Sequence, residues 1–346
     1  HWNQNAYESC DLLMAISKQT YNINNNVCQR KPRVEGLDLT YVPHGIDNNK
    51  YYPVDIDHPE FTELCKFRSD IFKENDPDFV LFFNSRNIRR KGPANLMLAY
   101  KLFCDSLSKE ESDKVCLVLH TDKVDNNGTD LPAVRKAVCP DYNVKFTGGK
   151  LDTKYLNYLY NISSLTCQPS TAEGFGLSVC ESLHAGTPVL ATCIGGLQDQ
   201  MGFKKEDGSY LKVTDYTTEW PTNSDGKYKN HGEWAFPVWP VHTLQGSPQT
   251  PYIYDSIPSI KDIGSRIKEA YNLGTDELKR RGKLGRDFVL SDDSMMTAKH
   301  MGDNTIKSIE NLFDNWKPRK RFSVIDLMNE PEAEYPSGLI LNSEVI

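Results

Sequence analysis

Glu173-Gly-Phe-Gly-Leu-Ser-Val-Cys-Glu181, continued by Ser182-Leu-His-Ala-Gly-Thr-Pro-Val-Leu-Ala-Thr192, is the stretch on which the fold turns. It opens as a loop of small residues and runs into a helix of about two turns. Gly186 and Pro188 stop that helix, and Val189-Leu-Ala-Thr192 reads as a short buried strand. Upstream, Ser164-Leu-Thr-Cys167 reads as another strand, which places the loop between a strand and a helix. In an open α/β sheet that is where ligands bind. Gly174 and Gly176 allow a ligand to approach the backbone, and the free N–H groups at the helix start favour an anion. Glu173 and Glu181 bracket the turn. A phosphate-bearing ligand with hydroxyls on both sides would use all of these features.

The surrounding chain repeats a β-then-α alternation. Phe79-Val-Leu-Phe-Phe83, Val115-Cys-Leu-Val-Leu119 and Val144-Lys-Phe-Thr147 read as strands, with helices expected over Pro93–Leu107, Leu131–Val138 and Leu151–Asn161. Near-continuous apolar strands in that rhythm mean a parallel sheet covered on both faces, a doubly wound domain. Asp11-Leu-Leu-Met-Ala-Ile-Ser17 reads as a strand whose Ser17 caps a helix, and Thr40-Tyr-Val-Pro-His-Gly-Ile-Asp47 as a second strand running into a turn. Residues 48–78 form a polar connection with a helix over Pro59–Phe72. Asp76-Pro-Asp78 reads as a turn rather than a metal-binding pair. After Tyr210-Leu-Lys-Val213, read as one more strand, residues 214–258 break the rhythm. Trp234, Trp239 and four prolines from Pro221 to Pro248 suggest an ordered insertion, either a lid or acceptor-side wall or a packed surface loop. Helices follow over Ile260–Asn272, Thr275–Leu290 and Asp293–Trp316, the last with Ile306, Ile309, Phe313 and Trp316 on one face.

The Glu173–Thr192 stretch, with Pro169 and Ser170 ahead of it and Gly195-Gly196 behind it, resembles the donor-site signature of the retaining GT-B glycosyltransferases of family four, the group 1 glycosyltransferases. The resemblance implies a GT-B-type α/β fold: a doubly wound parallel-sheet donor-binding domain plus a fragment of a second Rossmann-like domain. It divides the chain into a terminal fragment of the N-terminal, acceptor-side domain (1–46), a C-terminal nucleotide-sugar-binding domain (47–292) with the insertion 214–258, a crossover helix (293–316) and a tail (317–346). On this reading the sequence begins inside the N-terminal domain and omits most of it, including most of the acceptor site.

Asn84-Ser-Arg86-Asn-Ile-Arg-Arg-Lys91-Gly92 puts four cations in a loop after a strand of the expected sheet. Guanidinium groups grip phosphate with parallel bonds, and a lysine adds a mobile point charge. Arg86 and Lys91 match the diphosphate-contacting positions of the family's Arg-x4-Lys-Gly element, whereas Arg89 and Arg90 fill variable, solvated positions. The resemblance further implies that Glu173 lies near the donor sugar and that Glu181 accepts from the ribose hydroxyls. Gly174, Phe175, Gly176 and Leu177 would line the donor, and Phe146, Thr147 and Gly148 would present backbone groups to the base. Catalysis would rest on Glu173, Arg86 and Lys91, with no metal and no cofactor beyond the nucleotide-diphosphate sugar. Where the family often has an acidic residue after its paired glycines, this chain has Leu197-Gln198-Asp199. His184 reads as packed, and His120, at a strand end, could reach the cleft.

The implied activity is transfer of a sugar from a nucleotide-diphosphate sugar to a hydroxyl acceptor, with retention. A non-catalytic nucleotide-sugar-binding module working with a partner chain, and a sugar-nucleotide epimerase of the same architecture, fit the same residues. Totals agree with an enzyme of this kind. The net charge of −7 argues against a general nucleic-acid binder, and no apolar run is long enough to span a bilayer. Nine cysteines, an odd number without a Cys-x-x-Cys pair, point to free thiols and a cytoplasmic location. The glycosylation-type triplets at Asn127 and Asn161 are then chance matches. The basic run Lys317–Arg321 reads as a solvated helix end, with nucleic acid or an anionic surface as the alternative.

Overall fold

The computed structural model describes residues 4–28, 37–248 and 250–318. The chain begins with α1 (Gln4–Glu8), β1 (Leu12–Ala15), α2 (Lys18–Cys28), β2 (Asp38–Tyr41) and α3 (Phe61–Phe72). The alternating part follows as β3 (Phe79–Asn84), α4 (Pro93–Cys104), α5 (Lys109–Asp113), β4 (Val115–His120), α6 (Leu131–Val138), β5 (Val144–Phe146), α7 (Thr153–Asn161), β6 (Leu165–Gln168), α8 (Leu177–His184), β7 (Val189–Thr192) and α9 (Gly195–Asp199). It closes with β8 (Ala235–Val238), a hairpin of β9 (Pro240–Ser247) and β10 (Thr250–Pro258), α10 (Ile260–Leu290) and α11 (Ala298–Asn315).

Six strands form one parallel sheet in the order β5-β4-β3-β6-β7-β8. Every residue of β3 from Phe79 to Phe83 is buried, because both faces of the sheet are covered. Val80 and Phe82 join a core with α8, through Val179 and Leu183, while Phe79, Leu81 and Phe83 join the opposite core with α4 and with Ile263 and Ile267 of α10. This period-2 split is what an apolar run does when no face is left to water. The strand order reverses between β3 and β6. Chain exit from β3 leads to one side of the sheet and β6 starts the other, so a crevice opens between their C-terminal ends.

β1 and β2 pair in parallel as a separate two-stranded sheet. Ser17 caps α2 as expected, its Oγ accepting from the Thr20 N–H at 3.1 Å. The first turn of α2 seats on the sheet domain at α9. The Lys18 N–H donates to Asp199 at 2.8 Å, and Gln19 Oε1 accepts from the Gly195 N–H at 2.8 Å and from Gln198 at 3.1 Å. A carboxylate at a helix N-terminus is favourable. Asp199 is nevertheless wholly enclosed, and burial pushes its carboxyl up to about 6 from 3.8, against the opposing pull of Lys18 and Tyr41. With the folded value above the unfolded one, the associated stability is full below about pH 4 and is lost as pH rises through about 6. Asp199→Asn should therefore remove a decline on the order of 2–3 kcal/mol across that window. Thermal melts at closely spaced pH values check this; parallel curves for wild type and variant would contradict it.

Three elements differ from the sequence expectation. Tyr210–Val213 is not a strand: Lys204 and Tyr210 make one isolated bridge across a turn at Gly208, and Val213–Asp215 is a 3-10 turn. The stretch 214–258 is not merely an insertion, because Ala235-Phe-Pro-Val238 is the sixth strand of the main sheet. Its Pro237 sits on an edge strand, where the missing N–H costs nothing. Trp234 holds it in place by stacking on Phe288 at 4.9 Å and donating to Gln200 O at 3.0 Å. Third, α11 starts at Ala298 rather than Asp293, capped by Thr297. Its preceding turn is bridged to the 42–47 turn, with Ile46 N donating to Met296 O and Ala298 N to Ile46 O, each at 2.9 Å. α11 then runs back to β2, where Ser308 donates to Thr40 at 3.4 Å. Ile306, Ile309, Phe313 and Trp316 are exposed on it. The helices read at 260–272 and 275–290 are the halves of α10, broken at Gly274 with φ 76°. Residues beyond Pro318, and with them most of the basic run and the tail, lie outside the described residues.

Candidate functional site

Three loops meet over the crevice where the strand order reverses. The loop after β3 turns through a short 3-10 segment at Arg89–Lys91 and enters α4 through Gly92, left-handed at φ 65°, and Pro93 at the first helical position. The loop after β6 crosses it closely: Thr171 N donates to Arg90 O at 2.8 Å. The loop after β7 presses on the second. A Cβ at Gly195 would lie 1.8 Å from Glu173 O, and one at Gly196 2.5 Å from Phe175 Cα.

Charge is concentrated on Glu173. One carboxylate oxygen, Oε2, accepts from Lys91, from Arg90 Nη1 at 3.2 Å and from Ser170 Oγ at 3.4 Å. Arg90 also donates to Ala172 O at 2.7 Å, so this residue, exposed as expected, also braces the loop. Behind Ser170, buried Gln168 donates to its Oγ at 2.7 Å and accepts from Ser178 at 3.3 Å. The Lys91 and Glu173 side chains are only 12% and 10% exposed, which sets their pair apart from the screened surface pairs elsewhere on the chain. Arg86 is more open. Its Nε and Nη2 donate to Asp125 at 2.7 and 3.4 Å, and this pairing, with the Asn127 N–H, holds the Asp125 carboxyl below its ordinary range.

α8 aims its N-terminus into the same space. Gly176 stands before its first turn at φ 92° and offers no side-chain cap, and among the described residues nothing accepts from the N–H groups of Leu177 or Ser178. Those donors and the positive helix end favour an anion there. Glu181, one turn further on, is not a solvated helical glutamate. Tyr160 donates to it at 2.7 Å, Tyr51 supports it as well, and Asn84 donates to the Tyr160 hydroxyl at 2.8 Å. Burial raises its carboxyl above the ordinary glutamate value, the two tyrosines opposing.

The expected residues are thus partly gathered. Arg86, Lys91, Glu173, Gly174, Gly176 and Leu177 surround the crevice. Phe175 contributes backbone only: its side chain is buried edge-on against His44 at 5.3 Å. Phe146 ends the edge strand β5, two strands away from β3, and Thr147 and Gly148 follow it in the loop. There His120 Nδ1 meets Thr147 O at 2.6 Å. A Cβ at Gly148 would meet nothing within 4 Å. His184 is packed in the core, and burial drives its ring down to about 4. Gln168, Asp125 and Tyr160 were not singled out from the sequence, and Arg90 was read only as a variable position. Gln168 left a trace there, as a polar residue ending an apolar strand.

Residues 66–216 match the family model described as glycosyl transferases group 1. Similar solved structures include sucrose-phosphate synthase from Thermosynechococcus elongatus, at 18% identity and TM-score 0.60, with 90% of this chain and 61% of that one covered. A glycosyltransferase from Rickettsia africae aligns at 15% identity and TM-score 0.60, over 91% of this chain and 68% of that one. HepE from Anabaena, solved in complex with UDP and glucose, aligns at 16% identity and TM-score 0.60, over 88% and 64%. The chain therefore spans about two thirds or less of the length of such structures. No curated protein sequence matches it. The fold is that of the GT-B glycosyltransferases, as the sequence resemblance implied.

Proposed function

From a core that carries the group 1 glycosyl transferase pattern on a GT-B-type fold, we propose that this chain supplies the donor half of a glycosyltransferase. It moves a sugar from a nucleotide-diphosphate sugar to a hydroxyl acceptor, with retention of anomeric configuration. The observation that carries the reading is the meeting of Lys91 and Arg90 on Glu173, just ahead of the uncapped start of α8 at the reversal of strand order, with Arg86 on the same loop after β3. Fixed cations and N–H dipoles at one point neutralise the negative charge that grows on a diphosphate as the sugar–oxygen bond breaks. The same donors make a divalent metal unnecessary in this proposal. The mostly buried carboxylate of Glu181 serves the ribose hydroxyls, and Oε1 of Glu173, which has no hydrogen bond among the described residues, is available to the donor sugar. HepE's complexes with UDP make UDP-sugars the first donors to try. Buried unbridged thiols such as Cys104, Cys116 and Cys167 support a reducing, cytoplasmic setting. Among the described residues no helix is long and apolar enough to cross a membrane.

The test is turnover of UDP-sugars by the full-length protein, alone and with hydroxyl acceptors, with excess chelator at matched ionic strength. Slow donor hydrolysis or transfer that survives the chelator, with the product's anomeric configuration equal to the donor's, is expected. Activity that returns only with magnesium or manganese would refute the metal-free mechanism, and epimerised donor would move the assignment to an epimerase. Binding without any turnover would favour a non-catalytic module.

Glu181→Gln checks the ribose assignment separately. Loss of one charge-assisted hydrogen bond should weaken ribonucleotide binding roughly tenfold and narrow the preference over the 2′-deoxy analogue. An unchanged ribose preference would show that Glu181 serves only the tyrosine network.

A further inference from the structure

We infer that Glu173 is an internal competitor for the donor diphosphate, a step that rests on the donor-site reading and concerns how the same site lets its product go. The cations expected to hold phosphate are not free in this structure: Arg86 binds Asp125, and Lys91 binds Oε2 of Glu173. Arg90, not expected in that role, binds the same Oε2, and Ser170 adds a third donor to that oxygen. The carboxylate takes the place of a phosphate oxygen, since both are anionic acceptors for the same N–H groups.

Its position is built rather than incidental. Gln168, fully buried at the end of β6, fixes Ser170, which in turn holds Oε2. The Gly195 backbone passes close against the Glu173 carbonyl from the other side, which fixes the backbone from which the carboxylate reaches. An entering diphosphate must draw Lys91 and Arg90 off the carboxylate, and it must do so beside a fixed negative charge. When the nucleoside diphosphate leaves, the same carboxylate re-forms both contacts. Glu173 thus weakens product binding and speeds its release. It lets one set of cations stabilise the leaving group without trapping it.

Glu173→Gln keeps the side-chain shape and an acceptor oxygen while deleting the charge. Calorimetric titration of the full-length protein with UDP, GDP and ADP, and with the matching nucleosides, is run for wild type, Glu173→Gln, Lys91→Ala and the double variant at one ionic strength. The inference expects Glu173→Gln to bind the preferred diphosphate about tenfold tighter, as for the loss of a largely buried competing ion pair. Nucleoside affinity should stay unchanged, product dissociation in stopped flow should slow by a similar factor, and most of the gain should vanish in the Lys91→Ala background. Unchanged or weaker diphosphate binding by a variant that melts like wild type would overturn it. Should the glutamine variant lose its wild-type melting transition, Glu173→Ala is titrated under the same criterion. The two levels fail differently. Absence of diphosphate binding to wild type sinks the donor-site reading and the inference with it. Wild-type binding that Arg86→Ala weakens, but Glu173→Gln does not tighten, sinks the inference alone.

Discussion

Arg86→Ala and Lys91→Ala each weaken binding of a nucleoside diphosphate by roughly 1.5–3 kcal/mol, the scale of hydrogen bonds to charged groups, and leave binding of the free nucleoside nearly unchanged. Lys91 should stand at the upper end. Its side chain is 12% exposed, whereas Arg86 is 60% exposed and is screened by solvent; both already pair with a carboxylate. Both lie in the loop leaving β3 at the reversal of strand order, where the ligand's charge is expected. The check is calorimetric titration at constant ionic strength, because salt alone alters phosphate affinity. Equal losses for nucleoside and diphosphate would mean that these residues act through the fold instead.

Gly195→Ala is expected to lower turnover at least a hundredfold and to destabilise the protein by about 2–4 kcal/mol. Gly195 has φ 45°, and an added Cβ would lie 1.8 Å from the backbone oxygen of Glu173, which cannot rotate aside as a side chain can. Either the Glu173 loop moves or the start of α9 does. The second choice breaks the bond from Gly195 N to Gln19 that seats α2. Gly208→Ala provides the control. Its φ of 83° carries a similar left-handed strain, yet a Cβ there meets nothing within 4 Å, so only a cost of about 1–2 kcal/mol is expected. Similar melting temperatures and similar activity for the two variants would show that the Gly195 contact does not position Glu173.

Much of this architecture was legible in the chain because it is local. Apolar runs such as Phe79–Phe83 are long enough to name a buried strand, and Pro93 and Ser17 mark helix starts through contacts within a few residues. β8 was hidden because Pro237 interrupts an apolar run of only four residues, and because an edge position excuses a missing donor that sequence patterns treat as a break. The site shows the same division. The positions of Arg86, Lys91, Glu173 and Glu181 follow from strand-loop-helix syntax. Their partners do not. Arg90 with Glu173 and Arg86 with Asp125 join loops that only the sheet order brings together, and Tyr160 reaches Glu181 from a different helix. Phe175 shows what a stretch of small residues leaves open: the glycines on either side let the backbone turn while the ring buries its area in the core.

The most direct measurement is the difference in affinity between a nucleoside and its diphosphate for the unmodified full-length protein. Calorimetric titration with uridine and UDP, repeated with the guanosine and adenosine pairs, at fixed ionic strength and with chelator present, isolates what the crevice between β3 and β6 contributes. With two cations and an uncapped helix start meeting the phosphates, the preferred diphosphate should bind at least a hundredfold more tightly than its nucleoside, or about 2.7 kcal/mol. Equal affinities for every pair, or a preference that appears only when a divalent metal is added, would contradict the account.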